Sequence, residues 1–301
     1  LFLAIFIAMN IVKTGQYGAN VKTSQAIINV LDTLHTTGEE AKTTKTPELL
    51  KETRIFTTCN TNEEFGENRI QVSEKNSFRG NEWTEKGGDI PATKNQYVFA
   101  ENQIQGKEIY FFVLEMKMPF KISDIMIMYT DNYCFVNPPR DIENGIKKLT
   151  DSEGSKIKIV NSNSECLENS KKVCFGSGNC DINVFLQCST GDCSEPKGIV
   201  RKEGKEVYFS ENLLYAAIFS DEKNYECGVK RMMMRLEKLS EIYFEKARLI
   251  SVYGCNTGLE EEMSNLGLLS KEFKNSQDLE SITTESESIK KINQELICQL
   301  F

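Results

Sequence analysis

The apolar runs Ile109-Tyr-Phe-Phe-Val-Leu114 and Ile122-Ser-Asp-Ile-Met-Ile-Met-Tyr129 dominate the middle of this 301-residue chain. Both are rich in isoleucine and aromatic residues, which favour strands. Neither shows the strict alternation of apolar and polar residues that marks a strand with one face in water. Each run therefore predicts a central strand that is covered on both faces.

Further short β-rich runs surround these two strands. Strands are predicted at 55–59, 69–73, 97–100, 109–116, 122–130, 133–136, 156–160, 183–187 and 206–209. A short helix is predicted at 141–149, after Pro138-Pro139. We expect this part of the chain to form a mostly antiparallel β-rich domain.

From residue 210 the apolar residues recur with the period of a helix. Ser210 can cap a helix over 211–219, and Ser220 or Asp221 can open the next one, which runs to about Tyr253 before Gly254. Two more helical patterns follow over 259–273 and 279–296. Three amphipathic helices with short connections predict an up-down-up bundle, so the predicted fold class is α+β.

The chain ahead of the β-rich region is organised differently. Apolar residues recur at helical spacing over 26–34, whereas 36–47 is polar and is typical of an exposed linker that ties the first helix loosely to the β-rich region. The predicted organisation is an apolar or amphipathic helix at 1–35, a linker at 36–53, a β-rich cysteine-containing domain at 54–209 and a helical bundle at 210–301.

The first twelve residues carry no charge and are nearly all apolar. A membrane-spanning helix needs about 20 apolar residues, so this segment is too short on its own. It can be the rest of a membrane anchor that begins upstream, the mature start of a chain cleaved ahead of its apolar segment, or a buried core helix. We expect an export anchor, with membrane attachment or self-assembly through Leu1, Phe2, Leu3, Ile5, Phe6, Ile7, Ile11 and Val12.

The cysteines are even in number and clustered. They are Cys59, Cys134, Cys166, Cys174, Cys180, Cys188, Cys193, Cys227, Cys255 and Cys298. Zinc ligands usually come as paired thiolates two to four residues apart. Only the spacing of Cys188 and Cys193 approaches that pattern, and no second pair accompanies it. The cysteines therefore predict disulfides and a location outside the cytoplasm.

Helix length restricts the pairing of three of these cysteines. Cys227 and Cys255 are 28 residues apart along a predicted helix, which is about 42 Å, so they cannot bond to each other. An up-down-up path brings Cys298 back to the Cys255 end and leaves Cys227 to link the helices to the β region. If the last two helices instead form one long return arm, Cys298 belongs with Cys227.

Charge and histidine content limit the possible functions. The chain has 36 basic and 44 acidic residues, a net charge of −8, and this field disfavours a nucleic-acid partner. His35 is the only histidine and is expected to be a surface residue without a role. No motif assigns a catalytic, cofactor-binding or metal-ligating residue, and we expect no cofactor.

The uncharged apolar start, leading into a long helix and then a β-rich exported region, resembles an archaeal type IV pilin-like subunit. The resemblance covers about the first 35 residues, and Ile5 stands where bacterial pilins usually carry a glutamate. The segment 208–221 (YFSENLLYAAIFSD), followed by Tyr225-Glu-Cys227, is also similar to membrane-anchored proteins of small-genome archaea. These resemblances imply a cell-surface location and no activity.

The sequence thus favours an extracytoplasmic, membrane-anchored, disulfide-stabilised surface protein with a structural role, such as a pilus or filament subunit that assembles through its N-terminal helix. One alternative is a monomeric anchored module that binds a protein or cell-surface ligand. Another is a secreted hydrolase that uses carboxylates, which requires a deep acidic cleft. Under the leading hypothesis the protein is not an enzyme.

Overall fold

The computed structural model describes residues 2–37, 43–46, 48–62, 64–76, 82–92, 96–150, 155–188 and 193–301, with side chains for all of these except residues 2–14, 36 and 37. Within these ranges the chain forms an α+β fold. Its helices are α1 (Phe2–Thr37), α2 (Arg140–Thr150), α3 (Leu213–Phe219), α4 (Glu222–Val252), α5 (Glu260–Lys271) and α6 (Leu279–Glu295).

The strands form three sheets. They are β1 (Thr44–Lys45), β2 (Thr53–Asn60), β3 (Glu67–Asn76), β4 (Glu82–Trp83), β5 (Gly87–Pro91), β6 (Tyr97–Phe99), β7 (Gln103–Gly106), β8 (Tyr110–Lys117), β9 (Lys121–Tyr129), β10 (Asn132–Val136), β11 (Ile157–Val160), β12 (Ser170–Phe175), β13 (Ile182–Leu186), β14 (Lys197–Lys202) and β15 (Lys205–Ser210). The first sheet has the order β1-β8-β9-β6 and the second β11-β10-β12-β13-β14-β15. The third has the order β4-β3-β2-β7, and β5 also pairs with β3.

The first sheet separates two buried cores. β8 and β9 pair antiparallel, with Phe112 opposite Ile127 and Phe111 opposite Met128. Phe112 and Ile127 lie in one core with residues of the second sheet and of α3 to α6. Phe111 and Met128 lie in the other core with residues of α1 and the third sheet. The prediction that both strands are covered on both faces is confirmed.

Three of the five strand pairs in the second sheet are parallel. β10 pairs in parallel with β11 and β12, and β12 pairs in parallel with β13. α2 joins β10 to β11 and buries Ile142, Ile146 and Leu149. A parallel pair needs such a crossover, so the expectation of a mostly antiparallel domain fails in this part of the sheet.

The predicted linker is partly folded into the first sheet. Thr44 and Lys45 form β1 and pair with Phe111 and Tyr110 of β8. The backbone N–H of the next residue, Thr46, donates to the carbonyl of Ile109 over 2.9 Å. The polar composition that indicated an exposed linker instead suits a short edge strand, because an edge strand needs few apolar residues.

The three C-terminal helices begin and end close to the residues that their sequence pattern predicts, but they do not stand apart from the sheets. The Asp221 side chain caps α4 by accepting from the N–H groups of Lys223 and Asn224. α5 packs on α4, and α6 packs on both α5 and β15. The apolar side chains of these helices share one core with the second sheet. A separate helical bundle is therefore not confirmed, because strands cover part of the apolar faces of α4 and α6.

Candidate functional site

The second half of α1 is fixed to the third sheet by polar contacts. The Asn20 side chain donates to the Thr84 hydroxyl and to the carbonyl of Glu85, both over 2.8 Å. The Ser24 hydroxyl donates to the carbonyl of Gly87 over 3.3 Å. Asn20 and Ser24 are both buried, so these hydrogen bonds hold the helix in one register on the sheet.

Two glycines allow α1 to lie this close. A Cβ atom at Gly87 would lie 2.8 Å from the Asn20 Cβ, and one at Gly88 would lie 2.1 Å from the Ser24 Oγ. Gly88 also has a φ of +109°, which side chains rarely adopt. This contact was not predicted from the sequence, although the Gly87-Gly88 pair in an otherwise charged segment was a signal for close approach of the backbone to another element.

Apolar contacts complete the attachment of α1. Ile27, Ile28 and Leu31 are buried in the core formed with the third sheet and the outer face of the first sheet. Burial of three such side chains contributes about 5 to 9 kcal/mol of gross transfer free energy. Together with the polar contacts, this shows that residues 20–31 belong to the folded head, and the expectation of a loosely tied helix is wrong.

Two further contacts lie at the C-terminal end of α1. The buried Gln96 side chain donates to the Asp32 carboxylate. The Nε2 of His35 lies 3.7 Å from the Asp124 carboxylate of β9. His35, predicted as a surface residue without a role, is therefore placed to pair with Asp124 when it is protonated.

The helix begins at Phe2, ahead of the contacts described above. The described contacts of α1 with the third sheet begin at Gln16 and Tyr17, and the helix starts at Phe2. At 1.5 Å per residue the intervening turns add about 21 Å. Leu1 lies outside the described residues, and so do the side chains of the other predicted assembly residues, Phe2, Leu3, Ile5, Phe6, Ile7, Ile11 and Val12. Across the part of the chain that the structure describes, we find no helix with the length and apolarity of a membrane span.

All ten cysteines lie in disulfides. The pairs are Cys59–Cys227, Cys134–Cys166, Cys174–Cys180, Cys188–Cys193 and Cys255–Cys298. The first joins β2 to α4, and the last joins the end of α4 to the segment after α6, which are the two links that helix length pointed to. Five disulfides are typical of a protein that folds in an oxidising compartment outside the cytoplasm.

A cleft of about 410 Å³ lies between the β14–β15 turn and the start of α4, with Glu101 and Lys202 in its wall. The Glu101 carboxylate accepts from Lys202 and from Lys171, the latter over 3.2 Å. Lys202 also donates to the carbonyls of Ile218 and Ser220, over 3.3 Å and 3.1 Å. The three hydrogens of the Lys202 ammonium group therefore have partners.

Burial lowers the pKa of the Lys202 amine despite its contact with Glu101. Burial also acts on Lys171, but Glu101 and Asp131 outweigh it, and the pKa of Lys171 is raised. Lys171 of β12 and Lys202 of β14 both bind Glu101, so this carboxylate joins the two strands to the segment after β6. A carboxylate that already binds two ammonium groups is not poised for acid–base chemistry. Three further carboxylates, Glu203, Asp221 and Glu222, also line this cleft.

Comparisons with protein-family models, with curated proteins and with solved structures find no match to this chain.

Proposed function

We propose that this protein is an extracytoplasmic structural subunit that assembles with copies of itself through the N-terminal part of α1. The observation that carries the proposal is the length of α1, which is a single helix from Phe2 to Thr37. From Gln16 to His35 the helix is attached to the head, and ahead of Gln16 it continues for about 21 Å.

The part of α1 from Gln16 onward and the part ahead of it carry different kinds of side chain, as assembly through the leading part requires. The attached part uses Asn20, Ser24 and Asp32 together with its apolar face. Residues 2–12 carry no charge, and Lys13 is the first charged residue of the chain. Apolar helical segments are stabilised by burial against one another. The disulfides support a head that stays folded outside the cell.

The proposal is tested with charges placed in the apolar segment. We expect the full chain to form filaments that are visible by electron microscopy and that sediment. A variant with Ile7→Asp and Ile11→Asp should remain monomeric, because two buried carboxylates without partners oppose helix association. Its circular dichroism and unfolding midpoint should match those of the unchanged chain if only assembly is affected.

The matched control carries the same two charges elsewhere. Val252 and Tyr253, at the end of α4, are each 82% exposed. A variant with Val252→Asp and Tyr253→Asp should assemble as the unchanged chain does. A full chain that stays monomeric in detergent-free buffer, or that enters vesicles only as a monomer, overturns the proposal and favours the anchored binding module.

A further inference from the structure

A second cleft, of about 280 Å³, lies where α1 meets the third sheet. Its wall contains the aromatic rings of Tyr17 and Trp83 together with the polar side chains of Gln16, Asn76, Glu82 and Glu85. Tyr17 is 51% exposed, so part of its surface is open to a ligand. Trp83 is the only tryptophan of the chain.

The positions of the Tyr17 and Trp83 rings follow from the contacts of these two residues with the third sheet. Tyr17 lies beside Gly87, where a Cβ atom would come within 3.4 Å of the tyrosine ring. The same Cβ atom would lie 3.2 Å from the Tyr17 carbonyl oxygen, so the absence of a side chain at Gly87 lets this turn of α1 lie against the sheet. Trp83 is held by β4, in which it pairs with Lys75 of β3. The Arg54 guanidinium lies 3.8 Å from the centre of the Trp83 ring and supports it.

The composition of the wall indicates the chemistry of a ligand. Aromatic faces bind the apolar C–H face of a sugar ring, and amides and carboxylates hydrogen-bond its hydroxyl groups. Among the described residues of this wall the charged side chains are carboxylates, which disfavours an anionic ligand. The Arg54 guanidinium already stacks on Trp83, and this weakens the attraction of the Trp83 ring for a cationic ligand.

We propose that this cleft binds a neutral saccharide, with Tyr17 and Trp83 as the stacking surface and Glu82 as a hydrogen-bond acceptor for its hydroxyl groups. The volume is at the small end of ligand sites, which suits one sugar unit at the end of a longer glycan. The proposal does not depend on assembly through α1, because the cleft lies within the attached part of the helix.

The single tryptophan makes the test direct. Trp83 fluorescence is followed while neutral mono- and disaccharides of glucose, galactose, mannose and N-acetylglucosamine are added to the full chain. Glucuronate and tetramethylammonium serve as the anionic and cationic probes. We expect saturable binding of at least one neutral sugar in the millimolar range, and weaker binding of both charged probes.

Two variants and one control assign the effect to the cleft. Tyr17→Ala should weaken sugar binding roughly tenfold because it removes one stacking face. Glu82→Gln should weaken it by a smaller factor, since the amide keeps one acceptor oxygen. Tyr253→Ala removes a more exposed tyrosine at the far end of α4 and should bind as the unchanged chain does.

Three outcomes overturn the proposal: no saturable response to any neutral sugar up to about 100 mM, full binding in Tyr17→Ala, or tighter binding of tetramethylammonium than of every sugar. The last outcome would identify the cleft as a cation site. Unfolding midpoints of Tyr17→Ala and the unchanged chain are compared first, and saturation-transfer NMR provides a second readout that does not rely on tryptophan.

Discussion

The Arg231 side chain is completely buried and joins three segments of the head. Its Nε donates to the carbonyl of Phe65 over 2.9 Å, and its guanidinium also donates to the Asn68 side chain and to the carbonyl of Gln96. It lies over the ring of Tyr97, with 4.8 Å between the guanidinium carbon and the ring centre. Burial lowers the pKa of Arg231 to about 10. This one side chain therefore ties α4 to the ends of β3 and β6.

Gly88 provides a test of the attachment of α1 to the third sheet. Gly88→Ala should destabilise the protein more than Gly176→Ala, although both positions have a φ near +100°. The conformational strain of about 1 to 3 kcal/mol is common to both. At Gly88 the added methyl group also overlaps Ser24, which costs about 1 to 3 kcal/mol more, whereas nothing lies within 4 Å at Gly176.

Urea unfolding of both variants measures the difference. Ser24→Gly should restore part of the loss in the Gly88→Ala background, because it removes the overlapping atoms. Equal losses in Gly88→Ala and Gly176→Ala would contradict the close approach of α1 to the sheet.

The helices and strands that were predicted correctly are those with one apolar face or two. β8, β9 and α4 belong to this group, because burial imposes a pattern on their sequences. β12 was missed because it carries Lys171 and Lys172. Lys171 reaches Glu101 and Asp131, both distant in sequence. Polar residues that find partners only in the tertiary structure leave no periodic signal, and the polar attachment of α1 escaped prediction for the same reason.

The disulfides join elements across very different lengths of chain. Cys59 and Cys227 are separated by 168 residues and Cys188 and Cys193 by 5. The loop-entropy estimate gives about 5 kcal/mol for the first and about 2 kcal/mol for the second. Replacing both Cys59 and Cys227 by serine should therefore lower the free energy of unfolding more than the same change at Cys188 and Cys193.

Denaturant unfolding with the other disulfides intact measures both losses, and the Cys188–Cys193 variant serves as the matched control. A larger loss in that control would mean that the long link does not restrict the unfolded chain. Peptide mapping of the unreduced protein checks the pairing itself.

The buried tyrosines determine how the stability of the whole molecule changes at high pH. Burial raises the pKa of seven of them, and that of Tyr110 reaches about 12. The seven are Tyr97, Tyr110, Tyr129, Tyr133, Tyr208, Tyr215 and Tyr225. Above pH 10 the unfolded chain loses these protons while the folded chain keeps them, so stability falls as the pH rises. Lys202 and Arg231, whose pKa values burial lowers, act in the opposite direction but are fewer.

We therefore expect the free energy of unfolding to decrease from about pH 9.5 to pH 11, by up to about 1.4 kcal/mol per pH unit for each fully shifted tyrosine. Absorbance at the tyrosinate band should show fewer ionised tyrosines in the folded than in the unfolded protein at pH 10.5. The measurements are made quickly, before alkali attacks the disulfides. A constant free energy of unfolding over this range would contradict the burial of these rings.

The attachment of α1 also has a mechanical consequence. A pull on the N-terminus of the helix enters the head at Asn20 and Ser24 and passes through β5 and β3 to β2. At Cys59 the load meets a covalent bond to Cys227, and the bond between Cys255 and Cys298 fastens the far end of α4 to the last residues of the chain. Under tension the non-covalent contacts between α1 and β2 can therefore break. β2, α4 and the last residues of the chain stay joined by the Cys59–Cys227 and Cys255–Cys298 disulfides.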